Sequence, residues 1–346
     1  MSKIGLMASF LIPFNYCEKK RFRKQRILAG FTGMMLFMIC VDPQSAEEMG
    51  QGHTLYGANG MFVAIFTGII VGLVFGAFAK FSFFKEDSVI PDFVRQWFDS
   101  LLPIMLLIAG GWLIVQVADV AGAVQAVFMP LQSALTSPVG FVFFCFLKCF
   151  IYSMGISTWV LTPVDEPVKL AVITANLELV AAGVATYQNL GVFTETFMFC
   201  TYLWIGGVGC TLSLCLLMMT ICKSSELKAL GRACIVPGIF NINEPIIFGA
   251  IAWNPLLMLP MWIQGIILPI VTYIFTKVIP FAPIPHIQFD LWYCPYPIST
   301  FIATQGSITG VIFAILTFVL SAVIWFPFVK AYDDQKVKEE TAAIKA

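Results

Sequence analysis

Four apolar runs, 61–84, 192–221, 255–279 and 308–329, decide the solvent in which this chain folds. A helix rising about 1.5 Å per residue needs roughly 20 residues to cross a hydrocarbon core of about 30 Å, and each run supplies them. Lipid offers no partner to a backbone N–H or C=O, so each run is expected to be a helix that satisfies its own backbone. Shorter runs at 27–41, 101–117 and 139–153 are expected as further spans, while 4–14 is too short to cross without tilting or thinning the bilayer. Composition agrees: 59% of the 346 residues are hydrophobic and 12% are charged, against about 25% charged in soluble domains. The expected fold class is an all-α integral membrane protein, a polytopic helical bundle.

Charge placement orients the bundle. Lysine and arginine gather at Lys19, Lys20, Arg21, Arg23, Lys24 and Arg26, at Lys80, Lys85 and Arg95, at Lys223, Lys228 and Arg232, and at Lys330, Lys336 and Lys338. Such clusters mark cytoplasmic segments. Segment 42–60 has none of these and carries Asp42, Glu47 and Glu48, so it belongs outside, as does the stretch 121–138. The reading is a single membrane domain over 1–332, followed by a charged cytoplasmic tail over 333–346. A formal net charge of zero argues against a nucleic-acid partner. Most of the ten cysteines, Cys40, Cys145, Cys149, Cys200, Cys210 and Cys215 among them, lie inside apolar runs and read as small hydrophobes. Segment 1–14 does not read as a signal peptide, because its basic cluster follows the apolar run and no small-residue cleavage site is evident. Neither a metal nor a cofactor is expected.

Three stretches break the apolar pattern, and irregular backbone at membrane depth survives only where protein or a water-filled cavity supports it. Segment 155–195 carries Thr158, Thr162, Asp165, Glu166, Lys169, Asn176, Glu178 and Glu195. Segment 235–250 sets Asn241, Asn243 and Glu244 between Pro237-Gly238 and Pro245, with Gly249 beyond; a re-entrant hairpin with a polar tip fits it. Either Glu244 lies on a substrate route, where intramembrane carboxylates usually stand, or it is a turn after the basic loop 223–232. Two amides and a carboxylate within four residues are the inventory that grips several hydroxyl groups at once. Segment 280–299 holds four prolines with Trp292, Tyr293 and Tyr296, which excludes a continuous helix. Its aromatics form either an interface belt or a face for a pyranose ring.

From about Leu55 onward these residues resemble a known family. Tyr56-Gly57-Ala58-Asn59-Gly60-Met61-Phe62, Gly231-Arg232-Ala233, Asn241-Ile242-Asn243-Glu244-Pro245-Ile246-Ile247-Phe248-Gly249, Asn254-Pro255 and the ending Pro327-Phe328-Val329-Lys330-Ala331-Tyr332-Asp333 look like the enzyme IIC subunit of a bacterial phosphotransferase system. The match is to the lactose/cellobiose, diacetylchitobiose-like branch of the glucose superfamily. The resemblance implies a homodimeric, multi-pass protein of the bacterial inner membrane. Such a protein imports a β-linked disaccharide or glycoside and presents its 6-hydroxyl to a phosphocysteine on a separate IIB protein. It implies that Glu244 holds that hydroxyl and acts as base, and that Trp292 stacks on the sugar. Asn241, Asn243 and Asn59 are added as sugar contacts on local chemistry.

Two features depart from the family. Its Gly-Ile-His-Gly signature reads Gly155-Ile156-Ser157-Thr158 here, so Ser157 replaces a sugar-binding histidine. A serine hydrogen-bonds a hydroxyl but shuttles no proton near neutral pH. His53 and His286, the two histidines present, lie elsewhere. The chain is also expected to be short by two or three N-terminal spans. No phosphocysteine loop of a IIB domain and no phosphohistidine IIA domain is read in these residues, so any phosphotransfer is expected to need another chain as donor. Glu178 and Glu195 are expected to matter less than Glu244. The competing readings are a non-catalytic, sugar-binding or regulatory remnant, and an ion-coupled transporter of unrelated fold that leaves the motif match without an account.

Overall fold

The computed structural model describes residues 3–41, 55–57, 60–79, 81–84 and 91–345. These form helices joined by turns and irregular segments, in two compact units, Met1–Leu131 and Gln132–Ala346.

The first unit holds α1 (Ile4–Lys19), α2 (Arg26–Val41), α3 (Met61–Phe78), α4 (Asp92–Val115) and most of α5 (Val120–Thr136). Small residues let the helices approach closely, as between lipid-embedded helices generally. A Cβ at Gly72 of α3 would meet the Tyr16 ring of α1 at 2.9 Å. Around that contact Cys17, Ala29, Leu36, Val71, Phe75 and Leu107 form a buried cluster. At the turn between α1 and α2, Glu18 pairs with Arg23 at 3.0 Å and with Arg26, so part of the basic cluster is neutralised locally.

The second unit contains α6 (Pro138–Ser153), α7 (Thr162–Ala181), α8 (Thr211–Ile221), α9 (Ser225–Ile239), the short α10 (Glu244–Ile246), α11 (Pro255–Tyr273), α12 (Ile298–Ala303) and α13 (Ile308–Lys345). Local signals start several of them. Ser137 accepts the Gly140 N–H (3.0 Å) ahead of α6, Ser224 caps α9 through Leu227 N–H, and Asn254 caps α11 through Leu256 N–H. Pro138 and Pro255 occupy first-turn positions, where a missing N–H costs nothing. The core is aromatic, with Tyr202, Trp204, Phe141, Phe193, Phe197 and Trp325 all fully buried. A buried polar clasp crosses it: Gln264 Nε2 of α11 donates to Ser321 O and Oγ of α13 (2.9 Å each), and Ser321 Oγ lies 2.8 Å from Ser213 Oγ of α8.

Among the described residues Met61–Phe78, Trp97–Val115, Pro255–Val278 and Ile308–Ala343 are long and apolar enough to cross a bilayer. The expectation of one span over 192–221 is corrected. A π-helical turn at Thr196–Tyr202 gives way to Gly206, Gly207, Gly209 and Cys210, all at positive φ, before α8 begins. Apolarity registered the buried setting, but glycines at those angles cannot continue a right-handed helix. This broken backbone is sheltered by protein, since Leu203 and Trp204 are fully buried. The opposite correction applies to 155–195, where a regular helix, α7, fills the middle of a stretch expected to be irregular. Residues 280–297 form no helix and are pinned by Tyr202 Oη donating to Pro283 O (2.7 Å) and by Phe289 N–H donating to Thr196 Oγ1 (3.1 Å).

At 38 residues α13 is about 57 Å long and outruns a core of about 30 Å. Its last turns dock on the start of α9. Asp333 accepts Lys223 N–H and Ser224 N–H (2.8 Å each), and Glu340 accepts Ser224 Oγ–H (2.6 Å) and Glu226 N–H (3.0 Å). Both carboxylates therefore serve the orphan donors of that helix end.

Candidate functional site

The site begins where α9 stops. Ile242 N–H donates to Pro237 O and Asn241 N–H to Gly238 O (3.0 Å each), with Asn241 left-handed at φ 59. This is a Schellman ending, and asparagine is among the few residues besides glycine that take that conformation cheaply. The chain restarts at once as α10, whose first residue is Glu244 and second is Pro245.

The two amides in this break are held by protein, three of their four hydrogen bonds going to backbone. Asn241 Oδ1 accepts Gly206 N–H at 2.7 Å and its Nδ2 donates to Trp292 O. Asn243 Nδ2 donates to Val208 O at 2.9 Å, while its Oδ1 accepts from Tyr152 Oη at 3.3 Å. Both asparagines are buried. Gly207 is obligatory, because any Cβ there would fall inside the Asn243 amide. The glycine turn after the π-helical segment thus docks on the α9–α10 break and carries Trp292 with it.

Below the break lies a cavity of about 110 Å³. Glu244, Asn241, Asn243 and Trp292 line it, together with Tyr152 and Lys148 of α6, Thr158 and Trp159, Glu166 and Lys169 of α7, and Glu195. Glu244 is exposed, and the Tyr152 hydroxyl lies beside its carboxylate. Trp292 is half-buried, with Tyr293 edge-on at 5.5 Å.

The opposing charges come from three segments. Lys148 Nζ lies 2.8 Å from Asp165 Oδ2, both side chains buried (5% and 0% exposed), and the ammonium also sits over the Phe144 and Phe199 rings. Lys169 Nζ reaches Glu166 Oε2 and Glu195 Oε2, each at 2.6 Å, and Asp165 Oδ2 at 3.5 Å. Lys169 is therefore the hub that ties α7 to the head of the π-helical segment.

Of the residues expected at the site, Asn241, Asn243, Glu244 and Trp292 line one cavity. Ser157 is exposed, is not among the lining residues, and caps a 3₁₀ turn (Thr158–Leu161) by accepting the Trp159 N–H at 3.4 Å; its neighbours Thr158 and Trp159 reach the cavity instead. Asn59 and His53 lie outside the described residues, and His286 approaches only Ile284 O. Glu178 is exposed and away from the cavity, whereas Glu195, expected to matter as little, lines it. Lys148 and Tyr152 line the cavity without belonging to any of the polar segments that stand out in the sequence. Lys148 did leave a signal, as a lone cation inside the apolar run 139–153.

The family model "Phosphotransferase system, EIIC" matches residues 1–265. The chain is similar to the lichenan permease IIC component of Bacillus subtilis (strain 168), at 28% identity over 97% of this chain and 78% of that protein. It is also similar to the lactose-specific EIICB component of Staphylococcus epidermidis, at 29% identity over 90% of this chain, which spans about half (54%) of that relative's length. Among solved structures it is similar to the transporter ChbC, the IIC component from the N,N'-diacetylchitobiose-specific phosphotransferase system. There the TM-score is 0.76, with 30% identity over 84% of this chain and 68% of that one.

Proposed function

The chain belongs to the phosphotransferase system EIIC family, the sugar-permease component of that system, and on that premise we propose that its cavity holds a β-linked disaccharide or glycoside with the 6-hydroxyl at Glu244. The observation that carries this reading is the α9–α10 break. Its amides are taken up by backbone groups and the Tyr152 hydroxyl, so Glu244 is left as an exposed carboxylate beside Trp292 in a walled cavity. A carboxylate there accepts the hydroxyl proton while the hydroxyl oxygen attacks phosphorus. The P–S bond of a phosphocysteine then breaks and the thiolate leaves. The phosphocysteine comes from a separate IIB protein, a pairing that the name EIICB joins in one relative. Little covalent chemistry is asked of the carrier, because positioning dominates phosphoryl transfer. Trp292 offers an aromatic face and Asn243 fixes the break that carries Glu244. The working unit is a homodimer whose C-terminus lies on the cytoplasmic side with IIB, as the basic clusters argue.

Reconstituted protein should form phosphorylated sugar from a labelled β-glucoside only when phospho-IIB is added. Binding without any phosphorylation would favour the second reading, a sugar-binding protein without transfer. That reading is motivated by Ser157, which stands where the family has histidine and lies outside the cavity lining.

A further inference from the structure

The ionic wall of the cavity is unbalanced. On the wall Lys148 and Lys169 face three carboxylates, Glu166, Glu195 and Glu244, and Asp165, buried behind the wall, pairs with both lysines, a formal surplus of two negative charges over the network. The N-terminus of α7, near Asp165 and Glu166, offsets about half a charge, so more than one remains. Both ammonium groups are already committed, Lys148 to Asp165 and Lys169 to three carboxylates. Glu166 and Glu195 each use Oε2 for Lys169, and Oε1 of neither has a partner among the described residues. Glu244 has no cation within ion-pair distance among them. Behind them Asp165, fully buried and paired with Lys148 through Oδ2, has no hydrogen-bond partner at Oδ1 among the described residues. Closing a neutral sugar into such a cavity removes water from anionic oxygens and returns no charge.

We propose that the sugar taken by this cavity carries a free ammonium group, as a β-1,4-linked glucosamine disaccharide does, and that the open oxygens of Glu166 and Glu195 recognise it. The proposal rests on the sugar-binding reading and names its substrate class. An ammonium between these carboxylates replaces the lost hydration with charge-assisted hydrogen bonds and brings the cavity close to neutrality.

Calorimetry on purified protein in detergent compares three β-1,4-linked disaccharides: the glucosamine disaccharide, cellobiose, which has nearly the same shape without the charge, and diacetylchitobiose, in which the nitrogens are acetylated and neutral. The glucosamine disaccharide should bind about ten- to a hundredfold more tightly than either neutral sugar, the range expected of hydrogen bonds to charged groups. That preference should fall severalfold in Glu166→Gln and again in Glu195→Gln. Equal or tighter binding of cellobiose or diacetylchitobiose by the wild type overturns the ammonium class and leaves sugar binding intact. Neutral-sugar binding that strengthens with added sodium assigns the surplus to an inorganic cation and overturns it as well. A preference unchanged in both glutamine variants removes these two carboxylates from the recognition. Folded protein that binds none of the three refutes the sugar site itself.

Discussion

In the break between α9 and α10 two of three polar side chains are held by backbone groups, whereas between Thr158 and Glu195 the charged side chains are held mainly by one another. The first arrangement is neutral and directional: Asn241 and Asn243 position a turn, and Glu244 is left outward. The second is ionic, with Asp165 Oδ2 shared by two lysines and Lys169 shared by three carboxylates. One region therefore builds geometry and the other builds charge, although both read in sequence as polar interruptions of an apolar chain. A buried amide with its partners in place adds about 1 kcal/mol per bond. A buried charge deprived of its partner costs several.

The largest expected effect follows from that asymmetry. Lys148→Met leaves Asp165 buried with only the more distant Lys169, and should destabilise the protein by about 3 kcal/mol. Adding Asp165→Leu should recover most of the loss in thermal unfolding. A single variant as stable as wild type would mean that the pair is not held dry, and the contrast between the two regions would collapse.

Next comes Glu244→Gln, which keeps shape and removes charge. A hydrogen bond to a charged group is worth about 1.5–3 kcal/mol, so sugar affinity should drop about ten- to a hundredfold by calorimetry. Phosphorylation should drop at least as far, and stability should move by less than about 0.5 kcal/mol. Undiminished affinity in the folded variant would return Glu244 to the role of a solvated turn.

Asn241→Gly tests the neutral region. Glycine takes φ 59 without strain, so the change isolates the two amide bonds. A loss of about 1–3 kcal/mol in unfolding is expected. No loss would show that the Gly206 and Trp292 contacts are incidental.

Ser157→Ala should have the smallest effect: below about 0.5 kcal/mol in stability, with affinity within about twofold. Its cap is long at 3.4 Å and exposed. A tenfold loss of affinity would restore Ser157 to the sugar, as the family signature implies.

Membrane residence was legible in the sequence because it is a local property. A run such as 308–329 must close its own hydrogen bonds in lipid whatever its neighbours are. The cluster of Asn241, Asn243 and Glu244 was legible for the same reason, since capping and turn chemistry act over a few residues. Their division of labour was not, because the partners of Asn241 are Gly206 and Trp292, 35 and 51 residues away. The run 192–221 reads in sequence as one span because apolarity reports burial and says nothing of φ, which Gly206, Gly207 and Gly209 set positive. Only the tertiary structure joined Lys148 to the buried Asp165 and Lys169 to Glu195, bringing Lys148, Lys169 and Glu195 to one cavity. Ion pairing depends on distance through space, and a distance between segments 17 and 26 residues apart exists only once the helices are packed.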